Sequence, residues 1–283
     1  MLSQKENFYI EDKGAGYGPY IPEIKSINSG LRTPEYYLSG AKSVIVLGLH
    51  FPDACLDIAK ITPAETVGPY AFAHYETLFL LRDKAVKIVK YIQQGGYQAT
   101  ISCDLCGLAS LVKSSRGMLP DSRANRFAAL LSGLGYIGDN GVPLTEKYGT
   151  RQRFISIITD YPFSDDPLYS GEILCQKCSH PCIKVCPTKA IKKQKISFTI
   201  EGKQFTFPEI DSLHCDWAKR YGLADKEGPA YYGLETETPI PKGRITPQKI
   251  AGALTKVRWG VQKRHINICE ECIRVCLARN STF

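Results

Sequence analysis

Apolar and polar positions change period several times along the first 160 residues, and each change marks an element. Ala41 to His50 is a short β-branched apolar run bounded by glycine and proline, which predicts a buried strand. Over 71–94 the apolar positions Tyr75, Leu78, Leu81, Ala85, Ile88, Val89 and Ile92 recur at helical spacing, and Gly95-Gly96 supplies the stop. Tyr97 to Cys103 returns to strand character. Strand, helix and strand in that order predict a right-handed crossover unit. A second helix is expected over about Ser122–Ser132, with Ala124, Phe127, Ala128 and Leu131 inward and Gly133 as its stop. A glycine-rich loop follows and leads into an apolar strand near Phe154–Thr159, an arrangement in which α/β sheets place a ligand.

After Tyr161-Pro-Phe-Ser-Asp-Asp-Pro167 the pattern breaks and cysteines become dense, so a boundary is expected near 166, with domains over 1–165 and 166–283. The second stretch reads as a turn at Glu201-Gly-Lys, a long surface loop over Gly228–Arg244 and a helix starting at Thr246-Pro, the threonine capping it. At 283 residues, 43% apolar and 10% aromatic, the chain can bury the cores of two such domains. The N-terminus has no apolar h-region or twin arginine, and no run of about 18 apolar residues lacks a charge, so a soluble cytoplasmic protein without a membrane span is expected.

Composition changes this picture in two ways. Eleven cysteines in a reducing compartment point to metal or redox chemistry rather than disulfides. The net charge of +8 falls almost wholly on 166–283, beside those cysteines. A basic surface suits nucleic acid or an acidic partner. Internal compensation of metal-bound thiolates is the simpler account, because no nucleic-acid motif accompanies the charge.

The run "LCQKCSHPCIKVCPTKA" spaces its thiols as Cys175-x2-Cys178-x3-Cys182-x3-Cys186-Pro187, one residue longer in the second gap than the bacterial ferredoxin pattern. Three close thiolates on a tight loop can hold three corners of a cubane, while the fourth, before proline, points to a neighbouring cluster. That predicts a second set, which Cys269-x2-Cys272-x3-Cys276 and the solitary Cys215 supply. Reciprocal sharing assigns Cys175, Cys178, Cys182 and Cys276 to one [4Fe-4S] cluster and Cys186, Cys215, Cys269 and Cys272 to the other. Zinc, the main competitor, uses C-x2-C pairs well apart in sequence and no Cys-Pro. Leu277 stands where a second Cys-Pro is expected. Cys103, Cys106 and Cys55 read as structural, and His180 and His214, beside cluster cysteines, as groups that tune or shield rather than ligate.

Three stretches in order, "PEYYLSGAKSVIVLGLHFP", "LLSGLGYIGDNGVPLTEKYGTRQRFISIITDYPF" and the cysteine run ending Cys-Pro-Thr-Lys-Ala-Ile, resemble the epoxyqueuosine reductase family, and the middle one is similar to the cobalamin-binding half of reductive dehalogenases. The resemblance implies an α/β (α+β) nitroreductase-like domain holding base-off cobalamin, followed by a small bacterial ferredoxin-like 2[4Fe-4S] domain that feeds it electrons. Carried over by position, Gly133, Leu134, Gly135, Tyr136, Ile137, Gly138 and Asn140 would lie along the corrin, where absent Cβ atoms let backbone approach a flat ring. Arg151 and Arg153 would meet corrin amides or acidic groups; solvated surface charges are the alternative.

Two departures qualify the likeness. The family's aspartate proton donor falls at Leu119, which leaves Asp121, an N-cap by position, or Tyr136 to supply a proton. The chain stops at Phe283 without the helical-repeat extension many such reductases use near tRNA, which argues against a tRNA substrate. The implied partners are therefore cobalamin and a low-potential electron donor such as a ferredoxin or flavodoxin. Lys192, Lys193 and Lys195 read as a solvated face. Gly14-Ala-Gly-Tyr-Gly18 lacks dinucleotide-loop spacing, and no Walker loop, H-E-x-x-H or nucleophile elbow occurs. The rival reading is an electron-transfer protein without its own substrate, docking by its basic face to reduce a partner's corrinoid or flavin.

Overall fold

A computed structural model describes residues 33–57, 76–102, 113–114, 117–118, 125–221, 239–246, 249 and 271–278. Asp121, Cys103, Cys106 and Cys269 lie outside them, as does most of the helix expected after Thr246. Its start is visible: Thr246 Oγ1 accepts the Lys249 N–H at 3.3 Å, as a capping threonine does.

The helices are α1 (Pro34–Tyr37), α2 (Ala54–Asp57), α3 (Thr77–Gln94), α4 (Arg126–Leu131), α5 (Pro181–Val185), α6 (Ser212–Tyr221) and α7 (Glu271–Arg274). Strands β1 (Ser43–His50), β2 (Ala99–Ser102) and β7 (Gln152–Thr159) form a sheet in the order β1-β7-β2. Both outer strands run antiparallel to β7, pairing Ser43 and Ala99 with Thr159 from its two sides. The crossover expected from strand, helix and strand is thereby split. β1 and β2 are parallel, but a strand from fifty residues downstream lies between them.

All eight positions of β7 are buried, including the polar Gln152, Arg153, Ser156 and Thr159 beside the apolar run Phe154, Ile155, Ile157 and Ile158. Its odd positions, Ile155 and Ile157, pack with Leu81, Ala85 and Ile92 of α3, while Ile158 packs with Ala128 of α4 on the opposite face. Period 2 in the strand sorts these residues between two helical layers. Asn125, left-handed at φ 56°, enters α4 while receiving the Ser156 hydroxyl at 2.8 Å and donating to the Phe154 carbonyl at 3.2 Å.

The C-terminal half is built around a hairpin of β8 (Ile191–Ile200) and β9 (Lys203–Ile210). Its two-residue turn, Glu201 at φ 50° and Gly202 at φ 77°, has the positive dihedrals that suit a tight antiparallel connection. Lys192, Lys193 and Lys195 thus belong to a strand, with Lys193 and Lys195 exposed. Phe205 and Phe207 pack into one apolar cluster with Phe127, Leu130, Tyr136, Ile137 and Leu144. A shared core therefore crosses the boundary expected near 166. Among the described residues no helix is long and apolar enough to cross a membrane.

Candidate metal centre

The first cysteine run folds as a 3-10 turn over Leu174–Lys177, a left-handed His180 at φ 51°, and α5 with Pro181 at its start. These bends let backbone amides face sulfur: the N–H groups of Asp139, His180 and Ala190 point at Cys175, Cys178 and Cys186 at 3.5, 3.4 and 3.3 Å. α7 packs against α5 and brings Cys276 from the far end of the chain. Cys175, Cys178, Cys182 and Cys276 then line one open pocket, together with Asp139, Asn140, Pro181 and Leu277. Among the described residues no three ligand-type side chains converge as a site for one ion would require. The four thiols instead surround a space.

That space is costly for bare thiolates. Burial pushes Cys175 and Cys182 up to about 12, and negative neighbours including Asp139 add to the rise. Cys276 is raised by burial as well, held back in part by the charge of Arg151. Without a cation Cys175, Cys182 and Cys276 stay protonated at neutral pH. A metal group that binds soft sulfur and displaces the protons fits this donor set.

The second set is described for three of its four members. Cys215 and Cys272 pack in the apolar cluster that contains Cys182, Ile191 and Ile210. Cys186 Sγ lies 3.8 Å from the Thr188 hydroxyl, which donates to the His214 carbonyl at 2.8 Å, one residue from Cys215. Cys215 is thus drawn towards Cys186 and Cys272, next to the first set. Cys55 is buried with Phe51, Val142 and Ile273, as a structural cysteine would be.

The glycine-rich loop serves these cysteine segments. A Cβ on Gly133 would stand 2.1 Å from the Pro167 carbonyl oxygen, and one on Gly135 2.1 Å from that of Leu144. The space freed at these two glycines is filled by the protein's own backbone. Around Gly135, β5 (Tyr136–Ile137) pairs with β6 (Pro143–Leu144). Ile137 enters the shared core, Gly138 approaches Cys175, and Asn140 donates to the Cys272 carbonyl at 3.3 Å. Leu134 is exposed.

Tyr136 is buried, and its hydroxyl accepts the Leu174 N–H at 2.6 Å. Burial, then the neighbouring Cys175, raises its pKa. It ties the cysteine loop to the sheet from a position remote from solvent, an unfavourable place for delivering a proton. Tyr136→Phe strands the Leu174 donor and is expected to lower stability by about 1–3 kcal/mol in denaturation of the metal-loaded protein, with its iron content unchanged.

Neither arginine is a solvated surface charge. Arg151 is 1% exposed and pairs with Asp53 at 2.9 Å, and Arg153 lies within β7, its guanidinium 5.1 Å from the Phe51 ring centre. Arg151 also donates to the Asp53 carbonyl at 3.0 Å. The polar groups that approach sulfur, Asp139 and Thr188, carried no expectation of their own from sequence, although both stood inside stretches already singled out. His180 and His214 engage Asp139 and Asp211 at 2.5 and 2.7 Å.

No family model matches the chain. It is 27% identical over 221 residues to the epoxyqueuosine reductase of Bacillus anthracis, covering 75% of this chain and 50% of that one. The tetrachloroethene reductive dehalogenase of Desulfitobacterium hafniense is 33% identical over 69 residues, 24% of this chain and 12% of that one. A crystal structure of an epoxyqueuosine reductase with an epoxyqueuosine-modified tRNA stem loop superposes with a TM-score of 0.38 and 21% identity over 56% of this chain and 38% of that one. The chain spans about half the length of the curated reductases it matches.

Proposed function

We propose that this epoxyqueuosine reductase-like chain is an iron-sulfur oxidoreductase in which two [4Fe-4S] clusters deliver electrons to a corrinoid, with cobalamin as the reactive cofactor. The carrying observation is the ring of Cys175, Cys178, Cys182 and Cys276 around one pocket, assembled from segments almost a hundred residues apart. Cys186, Cys215 and Cys272, with Cys269, hold the second cluster. The clusters supply one-electron transfer and the corrinoid the reductive chemistry at its cobalt.

The chain's own contribution is placement. Backbone amides of Asp139, His180 and Ala190 are aimed at sulfur, where they stabilise thiolate charge without moving. The packing of Cys182 and Cys272 in a single apolar cluster keeps the two sets adjacent and screened from water. The loop at Gly133–Asn140 acts as a brace for the metal centre, and no corrin contact is assigned to it. The relatives' name puts epoxyqueuosine, free or within tRNA, first among substrates to test.

Anaerobic reconstitution with iron and sulfide, then gel filtration with hydroxocobalamin, tests the reading. About eight irons per chain and corrin absorbance bands that shift and co-elute with the protein are expected. Zinc in place of iron overturns it, and full iron without retained corrinoid leaves the electron-carrier reading.

A further inference from the structure

We propose that the Asp139–His180 pair sets the reduction potential of the cluster held by Cys175, Cys178, Cys182 and Cys276, the Asp139 carboxylate keeping it low. The inference rests on the reading that these cysteines carry an iron-sulfur cluster, and it assigns to two non-ligand residues the task of positioning charge beside it.

Asp139 reaches the ring by both backbone and side chain. Its N–H points at Cys175 Sγ from 3.5 Å, and its carboxylate, 13% exposed, meets His180 Nδ1 at 2.5 Å. His180 in turn approaches Cys178, with its N–H 3.4 Å and its Nδ1 3.8 Å from that sulfur. The left-handed backbone at His180, φ 51°, is one that side chains adopt only at a cost, so the imidazole is held there by its surroundings.

The electrostatic sign follows from the shared pocket. The Asp139 carboxylate lines the same pocket as Cys175, Cys178, Cys182 and Cys276, so its negative charge opposes further negative charge placed there. An electron added to a thiolate-bound cluster brings charge of the same sign. The carboxylate therefore disfavours the reduced state and lowers the potential, net charge near a cluster being one of the recognised determinants. His180 donates to the carboxylate and offsets part of its field. The pair thus applies a fixed bias to one cluster and leaves the other, whose described cysteines adjoin Thr188, His214 and Ile210, without it.

Redox titration of the reconstituted protein with dithionite and mediators, followed by electron paramagnetic resonance at constant pH, reads the effect directly. Asp139→Asn keeps the backbone N–H and removes the charge. The reduced-to-oxidised ratio of one cluster at fixed potential should rise about tenfold, a shift of 59 mV for a one-electron couple, while the second cluster stays put. Asp139→Glu should remain near wild type. An unchanged midpoint in Asp139→Asn, or equal movement of both clusters, overturns the inference while the cluster reading stands. If Asp139→Asn loads no iron, His180→Gly, which suits the left-handed backbone and strips the carboxylate of its donor, should lower the same midpoint, and no shift there overturns it equally. Wild-type protein that takes up zinc and no iron removes the cluster reading and this inference with it.

Discussion

Cys276→Ser should halve the iron of the reconstituted protein, from about eight to about four per chain, and abolish one of two electron paramagnetic resonance signals. Cys276 is the only described member of its ring that comes from the C-terminal segment. It is brought there by the packing of α7 on α5, so no neighbouring thiol can replace it without moving a helix. A serine hydroxyl at that place has the size of the thiol but neither its acidity nor its softness towards iron. The loss should be local. Cys186, Cys215 and Cys272 keep their own contacts with Thr188, Ile191 and Ile210, so the second cluster persists. Cys55→Ser is the matched control, because that thiol sits in a packed apolar cluster and should leave all of the iron in place. Full iron in Cys276→Ser would mean that the ring closes through another residue, and loss of all iron would mean that the two sets do not form independently.

Much of the architecture was legible because burial on both faces writes continuous apolar runs. β1, α3 and β7 stand close to where periodicity predicts them, and the Glu201-Gly202 turn falls where the glycine sits. The order of the strands was not legible. Nothing local in Gln152–Thr159 says that it will insert between two earlier strands, since that choice is made by non-local pairing. The β8–β9 hairpin escaped for a different reason: Lys192, Lys193 and Lys195 and a bulge between Ile191 and Lys195 interrupt the alternation that would have announced β8. At the candidate metal centre the gathering of Cys175, Cys178, Cys182 and Cys276 around one pocket was readable from spacing. Their partners were not, because Asp139 and His180 are 41 residues apart and Thr188 meets His214 across 26. The arginines illustrate the limit most plainly. Sequence offered Arg151 only a corrin contact or a solvated surface, whereas its ion pair with Asp53, 98 residues away in sequence, is what permits its burial.

Gly135→Ala should be among the most damaging small substitutions at the described residues. A single added methyl would lie 2.1 Å from the Leu144 carbonyl oxygen and 2.9 Å from its carbon, and neither is the end of a flexible side chain that could turn aside. Relief requires opening the β5–β6 pairing of Tyr136 with Leu144. Both of those residues are buried in the cluster that joins α4 to the hairpin phenylalanines, so the cost should be about 3 kcal/mol or more. The damage should also reach the metal, because Tyr136 holds the Leu174 N–H one residue before Cys175. Thermal unfolding and iron content should therefore fall together. Gly40→Ala provides the comparison: at φ +74° it carries backbone strain of roughly 1 kcal/mol, but its added methyl meets nothing within 4 Å, and its iron should be unaffected. The two accounts of the loop separate on this variant. If Gly135 were a contact for a corrin ring, alanine would weaken corrinoid retention while leaving the melting temperature and the iron as they were; a joint loss of stability and iron is what a brace between the sheet and the cysteine loop demands.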